Sequence, residues 1–279
     1  MSRTTLRAGK VFIVGAGPGA EDLITLRGLQ ALREADVILY DALVNTKLLE
    51  DAPSRAKRIF VGKRCGTPSM KQEEINRLMV VQAQEGKSVV RLKGGDPFIF
   101  ARGGEEALAC AEAGVEFEMV PGVSAALGAA SYAGIPLTHR GVSSTVAFVA
   151  AHGARCGDSP DLSWIGLARS VGTLVIFMGG SWLDRISTAL IKSGLPGTTP
   201  VAVVSNATCD AQTTVLGTLS TVAKQVALAE LPTPLLIVVG EVTRMSEALN
   251  WFESRRNGVF CPIKESVASD GSELPKHAR

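Results

Sequence analysis

Residues 88–106, SVVRLKGGDPFIFARGGEE, place a short β-branched run before a Gly-Gly-Asp-Pro turn, and a second Gly-Gly pair before two glutamates. The run predicts a strand over 88–95, because β-branched residues favour a pleated, buried backbone. Residues 103–106 predict the start of a helix, and we expect no chemistry from Glu105 and Glu106. A strand that leads through a turn into a helix is one unit of an alternating β/α fold.

The same alternation continues on both sides of this stretch. Strand-like runs recur at 10–17, 35–41, 58–63 and 115–122, with helix-period segments between most of them. We expect one helix after an Asp22 cap, and another that opens with a Ser69 and Gln72 capping box and closes at Gly86. The alternation predicts a largely parallel sheet covered on both faces.

The second half of the chain carries five more strand-like runs at a different spacing, at 144–153, 172–180, 199–208, 212–220 and 234–242. The segment from Asn206 to Leu219 predicts a hairpin rather than a βαβ crossover. We therefore predict two α/β domains, an N-terminal one at 1–140 and a C-terminal one at 141–253. Residues 254–279 lack periodicity and predict a disordered tail.

Composition argues against several classes of partner. The formal net charge is +2, which gives no global basic field for nucleic acid. Five cysteines without a CxxC pair argue against structural zinc and a disulfide framework, so we expect no metal and a cytoplasmic location. No apolar stretch approaches the roughly 18 residues that a membrane span needs, so we expect no membrane partner.

Chemically unusual residues follow every predicted strand of the first half. They are GAGPGAED after the first, Asp41 after the second, GKRCG after the third, GGDP after the fourth and PGVSAA after the fifth. In open α/β sheets, ligands gather outside the carboxyl ends of the strands. Five such ends in succession predict a binding pocket there.

The first glycine loop permits two interpretations. Gly15, Gly17 and Ala20 satisfy the G-x-G-x-x-G/A fingerprint, with Asp41 about 20 residues on, as in NAD-dependent dehydrogenases. Against this, Pro18 removes an N–H from the loop, and the acidic pair at 21–22 disfavours phosphate. The same letters match the glycine turn of Rossmann-type methyltransferases, so the motif alone identifies no cofactor.

The charges of the opening stretch also leave alternatives. Arg91 and Lys93 lie on one face of the predicted strand and need partners if buried, so they either meet an acidic ligand or form structural ion pairs. Arg102 either binds a substrate carboxylate or pairs with Glu106. Asp96, held extended by Pro97, is expected to project its carboxylate.

From about Val11 to Val242 the chain resembles the tetrapyrrole methylases, in particular the branch that acts on uroporphyrinogen III. The segments that carry the resemblance are VGAGPG at 14–19, ADVILYD at 35–41, VGKR at 61–64, QEEIN at 72–76, VVRLKGGDPFIFARGGEE at 89–106 and VPGVSAALGAASYAGIPLTHR at 120–140. The resemblance implies two α/β domains with the active site in the cleft between them, and a homodimer. It also implies S-adenosyl-L-methionine as methyl donor, with S-adenosyl-L-homocysteine as its product. The implied reaction is methylation of uroporphyrinogen III at C2 and C7, giving precorrin-2 via precorrin-1 for siroheme or cobalamin.

The resemblance also assigns roles to single positions. It places donor binding at Pro18, Gly94, Gly95, Asp96, Ile99, Ser124, Ala125, Met178, Ala207 and Leu235. It makes Asp41 and Lys63 a base and acid pair, although a salt bridge that shapes the pocket fits the same two residues, and it places Arg91 against the tetrapyrrole. We expect Arg102, with Arg64, His139 and Arg140, to meet substrate carboxylates, which the planar guanidinium binds bidentately.

Two departures from the family pattern fall at donor positions. Ala207 replaces a glycine and predicts a narrower donor site if that backbone needs a positive φ, and Leu235 is bulkier than the usual alanine. The alternatives are a sister methylase for another corrin intermediate, an NAD-dependent oxidoreductase, and a donor-binding module without activity. No further enzymatic module is evident before Val11, so we expect a methylase that acts alone.

Overall fold

Two five-stranded sheets, one from each half of the chain, form the fold in the computed structural model, which describes residues 9–62, 70–151 and 164–256. A cleft lies between the two halves. The predicted class, two α/β units with a cleft between them, is confirmed.

The first sheet is parallel throughout, in the order β3-β2-β4-β1-β5. Its strands are β1 (Lys10–Gly15), β2 (Val37–Tyr40), β3 (Lys57–Phe60), β4 (Ser88–Lys93) and β5 (Glu116–Val120). The helices of this half are α1 (Leu26–Arg33), α2 (Gln72–Gln84), α3 (Gly103–Glu112) and α4 (Ala125–Tyr132). The parallel sheet predicted from the β/α alternation is confirmed.

Apolar side chains cover both faces of this sheet. On one face, Leu32 of α1 packs with Val14 and Ile38. On the other face, Met79 of α2 belongs to the cluster that contains Ile13. The near-continuous hydrophobic strands of this half follow from burial on both sides.

The predicted helix starts are wrong by a few residues. Helix α1 is capped by Thr25, whose side chain accepts from the Gly28 N–H, while Asp22 lies in a separate 3₁₀ turn. Helix α2 begins at Gln72, with Lys71 at the N-cap and the Glu74 carboxylate accepting from the Lys71 N–H at 2.9 Å, and the predicted cap Ser69 lies outside the described residues. Both helices therefore begin later than predicted, whereas Gly86 follows the end of α2 with φ +86°, as a C-cap glycine does.

The second sheet is mixed, in the order β6-β7-β10-β8-β9, and only β6 and β7 are parallel. Its strands are β6 (Val146–Ala150), β7 (Thr173–Phe177), β8 (Pro200–Ser205), β9 (Thr213–Thr218) and β10 (Leu235–Val239). The helices of this half are α5 (Trp164–Ser170), α6 (Leu183–Lys192), α7 (Val222–Ala229), α8 (Ser246–Leu249) and α9 (Trp251–Arg256). Strands β8 and β9 form the predicted hairpin.

Helix α4 joins the two halves. It follows β5 of the first sheet, but Ala126 and Ala129 pack in the core of the second sheet with Val175 and Val238. The domain boundary at residue 140 stays a prediction. Helix α9 includes 254–256, so these three residues of the predicted tail are helical, and 257–279 lie outside the described residues.

Candidate active site

A cleft of about 650 Å³ lies where the carboxyl ends of the first sheet face the second sheet. The segment that follows each of the five parallel strands contributes residues to the lining of this cleft. Their lining residues are Gly17 and Pro18 after β1, Asp41 to Leu43 after β2, Gly62 after β3, Gly94 to Asp96 with Ile99 to Ala101 after β4, and Ser124 and Ala125 after β5. The pocket predicted from the five strand ends is confirmed.

The opposite wall comes from three strands of the second sheet. Because β10 is antiparallel to β7 and β8, its first residues lie beside their last ones, with Leu236 opposite Phe177 and Leu235 opposite Ser205. Met178 follows β7, and Ala207 follows β8. The antiparallel strand therefore brings the 233–236 segment to the same edge.

All ten positions that the resemblance assigns to donor binding line this one cleft. They come from both halves of the chain, between Pro18 and Leu235. A volume of this size is typical of small-molecule sites, which usually combine an apolar lining with a few polar groups.

The backbone of the segment after β4 forms hydrogen bonds with the first glycine loop. Gly17 N–H donates to Gly95 O at 3.3 Å, and Gly95 N–H donates to Gly17 O at 2.7 Å. Gly17 has φ +83° and Gly95 has φ +69°, which glycine adopts without strain. Because the Gly17 amide is already paired, this loop differs from an open pyrophosphate cradle.

The Asp96 carboxylate supports the loop. Its Oδ1 accepts from the Phe98 N–H at 2.8 Å, and its Oδ2 accepts from the Gly122 N–H at 3.0 Å. The carboxylate that the sequence predicts to project thus accepts a backbone hydrogen bond on each of its oxygens. The carboxylate thus satisfies one backbone donor from its own turn and one from the segment after β5.

Neither departure from the family pattern strains the backbone of the cleft. The positive φ angles fall on the neighbours of Ala207, at Asn206 (46°) and Thr208 (68°), so the Ala207 methyl group meets no positive-φ requirement. The Leu235 side chain lies above Gly180, where a Cβ would approach Leu235 Cδ1 to 2.8 Å. A glycine at 180 thus makes room for the larger residue at 235.

A cluster of two cations and two carboxylates lies behind the cleft. Arg91 Nε donates to Glu106 Oε1 at 2.8 Å, and Arg91 Nη2 donates to Asp41 Oδ1 at 2.7 Å. Lys93 Nζ lies 3.0 Å from Glu106 Oε2 and 3.8 Å from Asp41 Oδ2. Of the four side chains, only Asp41 lines the cleft.

Burial dominates the electrostatics of this cluster. Desolvation of the ammonium group, with the neighbouring Arg91 charge second, lowers the pKa of Lys93, although Glu106 and Asp41 oppose the shift. One helical turn along α3, burial raises the pKa of Cys110 to about 11, and the Glu106 charge adds to this. The cations and carboxylates compensate each other, as buried charges must.

Arg91 is placed differently from its predicted contact with substrate. Its side chain is 2% exposed, and its other donors go to the carbonyl oxygens of Leu39 and Leu92. Arg91 therefore contacts the cleft through Asp41. Arg91 is buried because β4 lies between β1 and β2, where Arg91 is in register with Ile13 and Leu39, both of which are buried.

Of the other predicted substrate-binding residues, those that the structure describes do not line the cleft. Arg102 is at its edge, next to Ala101, and forms a bidentate pair with Glu105 at 2.6 and 2.8 Å rather than with Glu106. His139 and Arg140 line a separate surface depression of about 460 Å³, where His139 Nδ1 lies 2.9 Å from Arg140 O. Lys63 and Arg64 lie outside the described residues.

Within residues 9–62, 70–151 and 164–256, no group of three His, Cys, Asp or Glu side chains is arranged to hold a metal ion. No helix in those ranges is both long and apolar enough to span a membrane.

Sequence reasoning missed Glu106. The sequence predicts a structural residue but not its partners: Glu106 is fully buried and pairs with both cations of β4. A signal was present, because two basic residues on one face of a buried strand require a buried anion from a neighbouring element. Two acidic residues opening the next helix were the nearest candidates, but the sequence did not distinguish Glu105 from Glu106.

Comparison with known proteins gives a consistent family. The family model described as tetrapyrrole (corrin/porphyrin) methylases matches residues 10–223. A uroporphyrinogen-III C-methyltransferase from Bacillus subtilis is 48% identical over 246 residues, which cover 88% of this chain and 95% of that protein. A siroheme synthase from Sodalis glossinidius is 51% identical over 244 residues, or 88% of this chain.

The chain spans about half the length of the siroheme synthases that it matches, 51% for the Sodalis protein. Among solved structures, a uroporphyrin-III C-methyltransferase from Thermus thermophilus in complex with S-adenosylhomocysteine is similar, with a TM-score of 0.73 and 41% identity. That match covers 85% of this chain and 99% of the Thermus chain.

Proposed function

The chain belongs to the tetrapyrrole methylase family, and on that premise we propose that it is an S-adenosyl-L-methionine-dependent methyltransferase acting on uroporphyrinogen III. The observation that carries the proposal is the convergence of ten donor-binding positions and Asp41 on one cleft. The names of the Bacillus and Thermus relatives support the substrate. The proposed product is precorrin-2, formed via precorrin-1 by methylation at C2 and C7, for siroheme or cobalamin.

The residues of the cleft fit the methyl donor. Gly94 and Gly95 line the cleft without side chains, while Ile99, Met178 and Leu235 offer apolar surface for an adenine ring and a thioether. When bound, the donor supplies an electrophilic methyl group on a sulfonium. Because the residues that would hold it come from both halves of the chain, we propose that the site is complete only when both sheets are in place.

Asp41 handles the proton in the proposed reaction. A reduced pyrrole that gains a methyl group on carbon must lose a proton. Two carboxylates line the cleft, Asp41 and Asp96, and both oxygens of Asp96 already accept backbone hydrogen bonds, so we assign the proton to Asp41. Arg91 occupies Oδ1, and no described residue donates a hydrogen bond to Oδ2. We propose that Oδ2 accepts the proton or binds a pyrrole N–H, and that Arg91 acts by orienting Asp41.

Basic residues at the rim are proposed to meet the acetate and propionate groups of the substrate. Arg102 stands next to the cleft with its guanidinium half exposed, so a substrate carboxylate can replace Glu105 there. Contributions from Lys63 as acid and from Arg64, His139 and Arg140 stay predictions. So do the homodimer and the cytoplasmic location, which sedimentation velocity and cell fractionation would test.

The experiment has two parts. Titration calorimetry with S-adenosylhomocysteine and with NAD distinguishes a methyl-donor site from a nicotinamide site, and we expect only the former to bind. Anaerobic incubation with donor and uroporphyrinogen III should then give a product heavier by two methyl groups, measured by mass spectrometry.

Each part has its own contradicting result. If the protein binds NAD but does not bind S-adenosylhomocysteine, the proposed methyltransferase activity is overturned. If the protein binds the donor but adds no methyl group, uroporphyrinogen III is not its substrate. The protein would then act on another corrin intermediate or be a donor-binding module without activity. Asp51→Asn, an exposed carboxylate paired with Arg33 far from the cleft, serves as the matched control for variants of Asp41.

A further inference from the structure

Glu106 is a fully buried carboxylate for which the proposed reaction has no direct use. It lies in the first turn of α3 and receives three side-chain donors. Arg91 Nε donates at 2.8 Å, Gln72 Nε2 at 3.1 Å and Lys93 Nζ at 3.1 Å, all to Oε1. Its nearest acidic neighbour in the chain, Glu105, is by contrast half exposed.

The geometry of Arg91 links Glu106 to the cleft. The guanidinium uses its Nε edge for Glu106 and its Nη2 edge for Asp41, so one planar group joins the two carboxylates. A guanidinium held by two carboxylates and by the carbonyl oxygens of Leu39 and Leu92 has little rotational freedom, and this fixes the direction from which it approaches Asp41. Lys93 repeats the arrangement less closely, at 3.0 Å from Glu106 and 3.8 Å from Asp41.

We propose that Glu106 is a positioning residue for the methyl transfer, which anchors Arg91 and Lys93 behind Asp41 so that the Asp41 carboxylate faces the cleft in a fixed orientation. The inference rests on the proposed function. It assigns Glu106 a role in the rate of the reaction, carried through Arg91 to Asp41, in addition to its role as a buried counter-ion.

The Gln72 hydrogen bond supports positioning over simple charge compensation. A counter-ion needs only to be near its cations, whereas Glu106 is itself held by a neutral side chain from α2 that adds no charge. The α3 N-terminus also favours a carboxylate in its first turn. Two helices, α2 and α3, thus fix the position of the Glu106 carboxylate. Its ion pairs in turn fix the Arg91 and Lys93 side chains of β4.

The first test is Glu106→Gln, with Glu112→Gln on the exposed end of α3 as the matched control. We expect kcat to fall about tenfold or more, because small misplacements of a catalytic group have effects of this size. The affinity for S-adenosylhomocysteine should stay within about twofold, since Glu106 does not line the cleft. The control should match the parent protein in both measurements.

The pH dependence of this variant carries further information. Burial already lowers the pKa of Lys93, and loss of its counter-ion lowers it further. The neutral amine can then accept a hydrogen bond from Arg91 in competition with Asp41. As the pH rises, the kcat of Glu106→Gln should therefore begin to fall at a lower pH than the kcat of the parent protein.

The second test separates positioning from charge balance. The double variant Lys93→Met/Glu106→Leu removes one cation and one anion, so the buried region stays neutral and the protein is expected to fold. If Glu106 positions Arg91, this variant keeps a cooperative unfolding transition but has at least about tenfold lower kcat. Parent-level kcat in the double variant would overturn the proposal.

A readout without catalysis keeps the inference distinct from the proposed function. Nitrogen-15 NMR of arginine side chains, assigned with Arg91→Lys, should show a slowly exchanging Arg91 Nε–H in the parent protein and a rapidly exchanging one in the double variant. Rapid exchange of this Nε–H in the parent protein would overturn the proposal that Glu106 anchors Arg91. Failure of the parent protein to methylate uroporphyrinogen III would instead overturn the proposed function.

Discussion

The first half of the chain lines the cleft with two carboxylates, Asp41 and Asp96, and backs it with buried charges, whereas the second half lines it with uncharged residues. Among the described residues, the buried charged side chains Arg91, Lys93 and Glu106 all belong to the first half. The buried polar side chains of the second half, such as Ser205, Thr208 and Gln212, are neutral. Under the proposed function, the first sheet supplies the proton acceptor and the second sheet supplies shape.

The strand directions explain this division. All five strands of the first sheet are parallel, so their carboxyl ends and the residues that follow them converge on one edge. In the second sheet, antiparallel β10 brings the start of a strand to the same edge, where the segment 233–236 adds mainly apolar surface. A buried charge needs a partner from another element, and the first half has such a partner in α3.

Removal of the Asp41 charge should have the largest effect and test the chemical side of the comparison. Asp41→Asn keeps an oxygen for the Arg91 hydrogen bond but accepts a proton poorly, so kcat should fall about 10²–10⁴-fold. Affinity for S-adenosylhomocysteine should change less than about threefold. Steady-state kinetics and calorimetry measure both quantities.

Asp51→Asn is the control for this variant and should leave both values as in the parent protein. A kcat of the Asp41 variant within twofold of the parent would show that the first sheet supplies shape alone, and the contrast between the sheets would disappear.

Overpacking of the glycine contact beneath the cleft should have the next largest effect. A Cβ at Gly15 would lie 2.6 Å from Gly122 Cα and from Gly95 O, both backbone atoms that have little freedom to move. Gly15→Ala should therefore lower the free energy of unfolding by about 3 kcal/mol. Urea denaturation measures the change.

The matched control is Gly104→Ala, since a Cβ there meets no atom within 4 Å. Its unfolding free energy should be unchanged or slightly higher, because alanine favours a helix over glycine. Equal effects at both positions would mean that the backbone contact at the first sheet is not close-packed.

A smaller effect is expected from Glu253 of α9, which holds the second wall of the cleft. Its Oε1 accepts from Thr214 Oγ1 at 2.6 Å and from Gln212 Nε2 at 3.3 Å, and Gln212 Oε1 in turn accepts from the Thr208 N–H at 2.8 Å. Glu253→Ala should cost about 1–2 kcal/mol and speed hydrogen exchange in 208–214.

Glu247→Ala on α8, an exposed position, is the control for both measurements. If Glu253→Ala leaves hydrogen exchange in 208–214 unchanged, the second wall does not depend on the C-terminal helix.

The smallest effect concerns pH and the outer edge of the first sheet. Hydrogen bonds from Arg27, with a further contribution from Lys10, lower the pKa of Glu118 to about 2 from its ordinary value of 4.5. The folded state thus favours the ionised form, so these contacts stabilise the protein above about pH 4.5, and their contribution is lost as pH falls toward about 2.

Glu118→Gln should therefore lower the free energy of unfolding by at most about 1 kcal/mol at pH 7, because the pair is partly exposed. The difference from the parent protein should vanish near pH 2 in denaturant titrations. A difference that grows on acidification would contradict the assigned sign.

Local patterns were sufficient to predict the strands and the cleft. The β-branched runs and the glycine turns act within a few residues, so the existence and order of the strands, the β8–β9 hairpin and the position of Gly86 followed from the chain itself, while the predicted strands ran one to three residues too far. Helix starts were less predictable, because several polar residues near 22–25 and 69–74 compete for the cap. Only the packed backbone decides that Thr25 caps α1.

The alternation of β-branched strands with glycine-rich turns follows from neighbours in the chain, and so does the shared face of Arg91 and Lys93 on one strand. The pairing of both cations with Glu106, rather than with Glu105, follows from packing, as does the contact of Arg91 with the cleft through Asp41. An ion pair depends on the distance between side chains of different elements, and packing of α3 on the sheet sets that distance.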